Sequence, residues 1–208
     1  MTPRKKNSAS KNTQTAQGKR TLSKSQKTER MLAKSFRQLI ARKPLDKITV
    51  TAITNNCNIN RQTFYYHFRD INELIAWIYT NELHEIFGEK PTYGTWQEDL
   101  LKFLQFTKKN RQFILKTVRS VDTHFALHYL HLQSEDIITN MLKAQQDDYK
   151  ISDRDFSLIS RFYGAGLVGI ILQWLDDGKE SPEDFVARIE TLVGGEIPRA
   201  MERFAERN

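Results

Sequence analysis

From Thr28 onward, apolar residues recur at helical intervals. Leu32, Phe36, Leu39 and Ile40 share one face, and Lys and Arg occupy the other. Pro44 closes this helix. Thr49 is suited to cap a short helix through Asn55, and Asn60 to cap another that ends near Phe68. Between them, Cys57-Asn58-Ile59 must turn, and Asn58 stands where the chain reverses. Asn tolerates the left-handed backbone better than most residues, although Gly would be the easier choice. Asp70 precedes a fourth helix whose apolar face is Ile71, Leu74, Ile75 and Ile78. The rest reads as helices near 95–108, 111–120, 122–146, 153–176 and 182–193. Gly194-Gly195 and Pro198 are expected to break the chain before a last piece near 198–206. Alternation never holds for more than a few residues, and no internal repeat is visible. The pattern therefore predicts an all-α protein: a basic tail over 1–24, a three-helix helix-turn-helix unit over 25–70, and a helical body over 71–208.

The tail is Ser, Thr, Asn, Gln and Lys with almost nothing apolar, so it cannot bury enough surface to offset chain entropy and reads as disordered. Charge sharpens this division. Residues 1–27 carry eight Lys or Arg and no acid. Residues 28–75 carry eight basic and four acidic groups, and residues 76–208 sixteen basic and twenty-one acidic. The N-terminal end should face a polyanion and the C-terminal end should not. A membrane surface is the competing polyanion, but no basic amphipathic helix with an exposed aromatic face accompanies the charge. No run approaches the roughly 18 apolar residues of a membrane span, and no apolar stretch follows the basic start as in a secretory signal. Cys57 is the only cysteine, which excludes an intrachain disulfide and a cysteine metal cluster and points to a reducing, cytoplasmic setting.

Two short helices around a tight turn form a helix-turn-helix, with Ile53 and Ile59 in its small core. Arg61 and Gln62 fall in the first turn of the second helix, where side chains reach base edges in a major groove. Arg can bond bidentately to guanine and Gln to adenine. Thr63, Tyr65, Tyr66 and His67 can donate to phosphates, and the N-terminus capped by Asn60 favours a nearby phosphate. Lys47 and Thr51 are placed to hold the flanking backbone. Phe64 and Phe68 read as core, and Cys57 as packing at the inter-helix contact.

The stretch from Ile48-Thr49-Val50 through Asn60-Arg61-Gln62-Thr63-Phe64-Tyr65-Tyr66-His67-Phe68 to Leu74 closely resembles the DNA-binding domain of TetR-family regulators. The resemblance is specific over residues 28–75 and covers the remainder only in outline. It implies a homodimeric repressor on double-stranded DNA, released by an effector in the C-terminal domain. It further implies base contacts from Arg61, Gln62 and Thr51, and phosphate contacts from Thr49, Thr63, Tyr65, Tyr66 and His67. Asn58 departs from a common Gly, and Ile71 stands where a Lys often touches phosphate, a contact that Arg69 can replace.

A dimer needs a surface. Residues 158–175 are apolar nearly all round, so they are expected to be buried on more than one side. Gly164, Ala165, Gly166 and Gly169 remove bulk, and each helical Gly costs roughly 1 kcal/mol against Ala, which points to a packing reason. Ser181-Pro182-Glu183-Asp184 opens the next helix as cap, first-turn Pro and acids at the positive end. The family resemblance implies that these two helices pair with their copies, and Gly166, Gly169, Ile170, Trp174, Phe185, Ile189 and Leu192 are the candidate interface.

Phe103, Phe106, Phe113, Phe125, Tyr129, Phe156 and Phe162 are candidates for an effector cavity, plain core being the alternative. The resemblance implies a small apolar or amphipathic effector that shifts the helix starting at Ile71. His124, His128, His131 and Glu135 fall on one helical stripe and form a weak metal candidate. A single helix rarely closes a tetrahedral site, so no metal or other cofactor is expected. Neither a Gly-rich phosphate loop nor a nucleophile elbow nor a His-Glu-x-x-His helix is present, so no catalysis is expected. The alternative to a ligand-released repressor is a DNA-bound activator or adaptor controlled by a protein partner or a metal ion. Non-specific packaging of nucleic acid is a further class, marked by binding that depends on salt but hardly on sequence.

Overall fold

The computed structural model describes residues 23–88, 93–119 and 123–207; the side chains of 123, 124 and 144–148 are outside that description. The expected basic arm therefore lies outside the described residues through position 22. Among those described, the chain forms ten α-helices and two single 3-10 turns, with no strand.

Helix α1 spans Lys24–Arg42, starting four residues before the apolar periodicity does. Its start is a capping box: Ser23 accepts from the Gln26 N–H, and Gln26 accepts from the Ser23 N–H. Helix α2 (Val50–Asn56) is capped by Thr49 and α3 (Arg61–His67) by Asn60. Between them Asn58 adopts φ 54°, the left-handed conformation the turn demands. These three helices enclose Phe36, Ile40, Ile53 and Phe64, each at most 1% exposed. Ser35 of α1 donates to the Ile53 carbonyl of α2 at 2.7 Å. That bond satisfies a buried hydroxyl and fixes the two helices in register.

Helix α4 (Ile71–Phe87), capped by Asp70, leads from this unit into the body. The body comprises α5 (Trp96–Lys109), α6 (Arg111–Val118), α7 (Thr123–Tyr149), α8 (Asp153–Asp177), α9 (Pro182–Val193) and α10 (Glu196–Ala205). The long α7 and α8 pack along each other. A Cβ on Gly164 of α8 would come within 2.9 Å of Ser134 Oγ and 3.1 Å of the Glu135 backbone nitrogen, so that glycine is what lets the two backbones approach. A second core, including Ile138, Leu142, Phe156, Ile159 and Met201, joins α7 and α8 to α10. Pro198 does not break the last helix as expected. It sits in the first turn of α10, where no intrahelical N–H bond is lost.

Helix α8 is long and apolar enough, by length and composition, to cross a bilayer. Here Ile159, Ile171, Trp174 and Leu175 are buried within the body instead.

The carbonyl ends of two helices are capped from elsewhere in the body. Arg111 donates to the Leu175 and Asp176 carbonyls, both at 2.7 Å, where Gly178 (φ 64°) ends α8. Lys116 of α6 donates to the Ile40 and Ala41 carbonyls at 2.6 and 3.1 Å. A cation at a helix C-terminus meets the negative end of its dipole. Lys116 thereby ties the body to α1.

Candidate nucleic-acid interface and interior cavity

The two faces of α3 are cleanly divided. Phe64 is 0% exposed and Phe68, just beyond the helix, 3%; their rings pack at a tilt with centroids 5.8 Å apart. Facing outward are Arg61, Gln62, Tyr65 and Tyr66, the last 84% exposed. Burying a large aromatic on one side is what forces its neighbours to solvent at this spacing. The Arg61 guanidinium donates to the Tyr65 hydroxyl at 3.0 Å, which extends its side chain over the helix surface.

The flanking candidates also keep bonding capacity. Thr49 accepts from the Ala52 N–H through Oγ1, leaving its hydroxyl proton to donate. Asn60 accepts from the Gln62 N–H through Oδ1, leaving its amide NH₂. Lys47, Thr51 and Arg69 are exposed, and Thr63 is half-buried. Lys47 lies 3.5 Å from Asp46, and Arg69 lies 3.6 Å from Asp70.

His67 departs from expectation. Its side chain is 6% exposed and meets Glu29 of α1 at 3.2 Å, with Ser25 at 3.5 Å. It holds the start of α1 against the end of α3 and is turned away from the surface that carries Arg61. Cys57 is half-buried; burial pushes its thiol above the ordinary range, in keeping with packing.

The body encloses a cavity of about 170 Å³ between α4, α5, α7, α8 and α9. Of the candidate aromatics, Phe103 and Phe106 line it. Five other candidates do not. Phe113 is core, with Phe36 and Tyr79 at 6.1 and 5.9 Å and Arg37 4.0 Å above its ring. Tyr129 stacks on Tyr79 and bonds Thr80. Phe156 belongs to the second core and Phe125 is half-buried outside the lining. Phe162 is 72% exposed. Missed from sequence were the walls contributed by α4, including Glu82, Leu83 and Phe87. No sequence signal identified Glu82; its partner Arg37 is on a different helix, far away in the chain.

That pair is a junction. Arg37 of α1 forms an ion pair with Glu82 and donates to Asn110 Oδ1 at 3.3 Å, at the α5–α6 link. Burial holds its guanidinium below the usual arginine range. Nearby, burial pushes the Tyr79 phenol up to about 12, while its bond to Thr117 at 2.5 Å works in the opposite direction.

The candidate dimer residues divide between inside and outside. Trp174, Phe185 and Ile189 are 5%, 7% and 4% exposed; the first two stack on each other at 5.3 Å, and Ile189 lines the cavity. They belong to the protomer's own core, because the α9 stripe packs inward onto α5. Ile170 is half-buried against the same core. Gly166 and Gly169 face open space, on the same side of α8 as Leu158 and Phe162, and Leu192 of α9 is 67% exposed.

Among the described residues no cluster of three or more metal-ligating side chains exists. Glu135 is engaged by Ser157 at 3.2 Å and Arg161 at 3.4 Å, and His128 is exposed. The side chain of His124 lies outside the described residues.

Residues 35–77 match the model for bacterial regulatory proteins of the tetR family, and residues 94–195 match that for a transcriptional regulator C-terminal region. The chain is 30% identical over 172 residues to the HTH-type dhaKLM operon transcriptional activator DhaS of Lactococcus lactis, covering 82% of this chain and 90% of that protein. It is 26% identical to the uncharacterized HTH-type regulator YxbF of Bacillus subtilis, of which it spans 43%. The solved structure of the dihydroxyacetone kinase operon activator DhaS superposes with a TM-score of 0.63 at 29% identity, over 82% of this chain and 96% of that one. NalD of Pseudomonas aeruginosa, secondary repressor of the MexAB-OprM efflux pump, superposes at 0.51 and 16% identity, over 85% and 96%; that likeness concerns the fold alone.

Proposed function

Because the chain belongs to the TetR family of transcriptional regulators, we propose that it works in the cytoplasm as a homodimer that reads a palindromic operator with α3. Arg61 and Gln62, helped by Thr51, read base edges. Lys47, Thr49, Asn60, Thr63, Tyr65, Tyr66 and Arg69 hold the phosphates on either side. The observation that carries this reading is the division of α3, with Phe64 wholly buried and Arg61, Gln62 and Tyr66 presented together. A single reading helix covers few base pairs, so a second copy is needed for specificity, with half-sites about 34–36 Å apart or multiples of that.

The second copy covers the strip formed by Leu158, Phe162, Gly166, Gly169 and Leu192. This strip supports the dimer because large apolar residues next to open glycines leave a surface that another helix can approach closely. An effector in the body cavity sets the spacing of the two α3 helices. It need only bind the non-reading spacing more tightly than the reading one.

We read the output as repression. Activation is the second reading, favoured by the similarity to an operon activator over most of the chain. Selection of random duplex DNA on the purified protein at physiological salt tests the core of the proposal. Recovery of a palindrome is expected, and enrichment of no motif would refute it. The position of that palindrome relative to promoters, with a reporter, then decides between repression and activation.

A further inference from the structure

One charged group in the wall of the body cavity has a buried acceptor left unmet. Its lining contains no Lys, Arg or His, so nothing there compensates a bound anion. Several polar side chains in the wall are already engaged, and Gln133 adds one neutral amide. Asp99 accepts from Thr95 at 3.0 Å and Lys102 at 3.3 Å. Thr107 donates to the Leu104 carbonyl and Ser134 to the His131 carbonyl. Burial raises the phenols of Tyr79, Tyr93 and Tyr163, which keeps them neutral. Glu82 is different. One carboxylate oxygen pairs with Arg37, while the other, Oε2, is buried with no partner among the described residues. A buried acceptor left unmade is costly, and a ligand that supplies the missing donor recovers that cost.

We propose that the cavity takes an uncharged, single-ring-sized apolar molecule bearing one hydrogen-bond donor, that the donor binds Glu82 Oε2, and that this contact is transmitted through Arg37 to α1. The inference rests on the effector reading above and specifies its chemistry. Size follows from the volume: an apolar cavity of about 150 Å³ accepts benzene, and this one is about 170 Å³. Neutrality follows from Arg37, which already balances the Glu82 charge, so a cationic ligand would lose its hydration without gaining a net counter-charge. Transmission follows from covalent neighbours. Arg37 lies two residues from Ser35, whose hydroxyl holds the Ile53 carbonyl of α2. A donor arriving at Oε2 shares the carboxylate charge that Arg37 holds through Oε1, and so weakens the tie between α4 and α1, against which α2 and α3 pack.

The test is a ligand series on the full, unmodified chain: p-cresol, toluene, p-toluate and 4-methylbenzylammonium, by calorimetry. p-Cresol is expected to bind about tenfold more tightly than toluene, the value of one hydrogen bond to a charged acceptor. The anion and the cation are each expected to bind more weakly than toluene. In Glu82→Gln the cresol preference should collapse while toluene binding persists; should that variant fail to fold, the series on the native chain still decides. p-Cresol should also lower affinity for the selected operator, and operator should lower cresol affinity by the same factor, because coupling is reciprocal. Equal binding of cresol and toluene would overturn the role of Glu82 and leave effector control standing. Binding of none of the four would overturn both. Cresol binding with no change in operator affinity would overturn transmission through Arg37.

Discussion

Gly164 and Gly166 are two residues apart on α8 but face different neighbours, and alanine at each should have opposite effects. At Gly166 an added methyl meets nothing within 4 Å. The only change within the protomer is the gain in helix propensity, about 1 kcal/mol. At Gly164 the same methyl lands 2.9 Å from Ser134 Oγ and 3.1 Å from the Glu135 backbone nitrogen. Ser134 cannot simply swing away, because it donates to the His131 carbonyl at 2.8 Å. Relief therefore requires α7 and α8 to separate by a few tenths of an ångström along a shared core. Overpacking of this kind costs about 1–3 kcal/mol, which the propensity gain offsets only in part. A net loss of about 1 kcal/mol should lower Tm by roughly 2–4 °C for a chain of this size. The assay is thermal unfolding of both variants at two protein concentrations, with sedimentation to report mass. Gly164→Ala should melt lower at both concentrations with its mass unchanged. Gly166→Ala should gain in stability within the chain but shift toward the lighter species, since its methyl intrudes on the proposed interface. Equal melting of Gly164→Ala and the parent would refute the close α7–α8 approach. A Gly166→Ala dimer as tight as the parent would refute the proposed interface.

Tyr66→Phe removes only an exposed hydroxyl. Unfolding should not change, while affinity for every duplex should fall to a similar degree, as expected of a phosphate contact. Glu29→Ala leaves buried His67 with only the longer contact to Ser25 and should cost about 1–3 kcal/mol in urea unfolding, with the base preference unchanged. Lys116→Met leaves the Ile40 and Ala41 carbonyls without their cation and should lower stability by about 1–2 kcal/mol. Tyr79 carries a pH signature: its folded-state phenol lies near 12, above the ordinary 10. Its contribution is therefore complete below pH 10 and lost as pH rises toward 12, on the order of 3 kcal/mol. Comparing alkaline unfolding of the parent with Tyr79→Phe isolates it, and identical pH profiles would contradict that burial.

The DNA-facing unit was legible because its signals are local. Thr49 and Asn60 cap the helices expected of them, Asp70 stands just before the fourth, and Asn58 takes the left-handed turn. The early start of α1 was legible in principle, since Ser23 and Gln26 have capping-box spacing. What failed was the assignment of faces. Helix α8 is apolar nearly all round, and periodicity cannot tell the side covered by the chain's own α7 and α9 from the side left exposed. Trp174 and Phe162 exchanged places for this reason, one buried and the other 72% exposed. Cavity walls suffered similarly: aromatic spacing marks a helix as packed but not which void it borders. His67 was read from its position on α3, and only the fold reveals that Glu29, from another helix, claims its ring.

Sequence reading by α3 depends most directly on Arg61 and its place at the outward start of the helix. The decisive measurement is binding to the selected operator and to scrambled duplex, for the parent and Arg61→Ala, across a salt series. The expected result is a loss of about 1–3 kcal/mol on the operator with relaxed preference at one base pair per half-site, and nearly unchanged affinity for scrambled DNA beyond one lost charge. Equal loss on both duplexes, or no loss on either, would contradict sequence reading by α3.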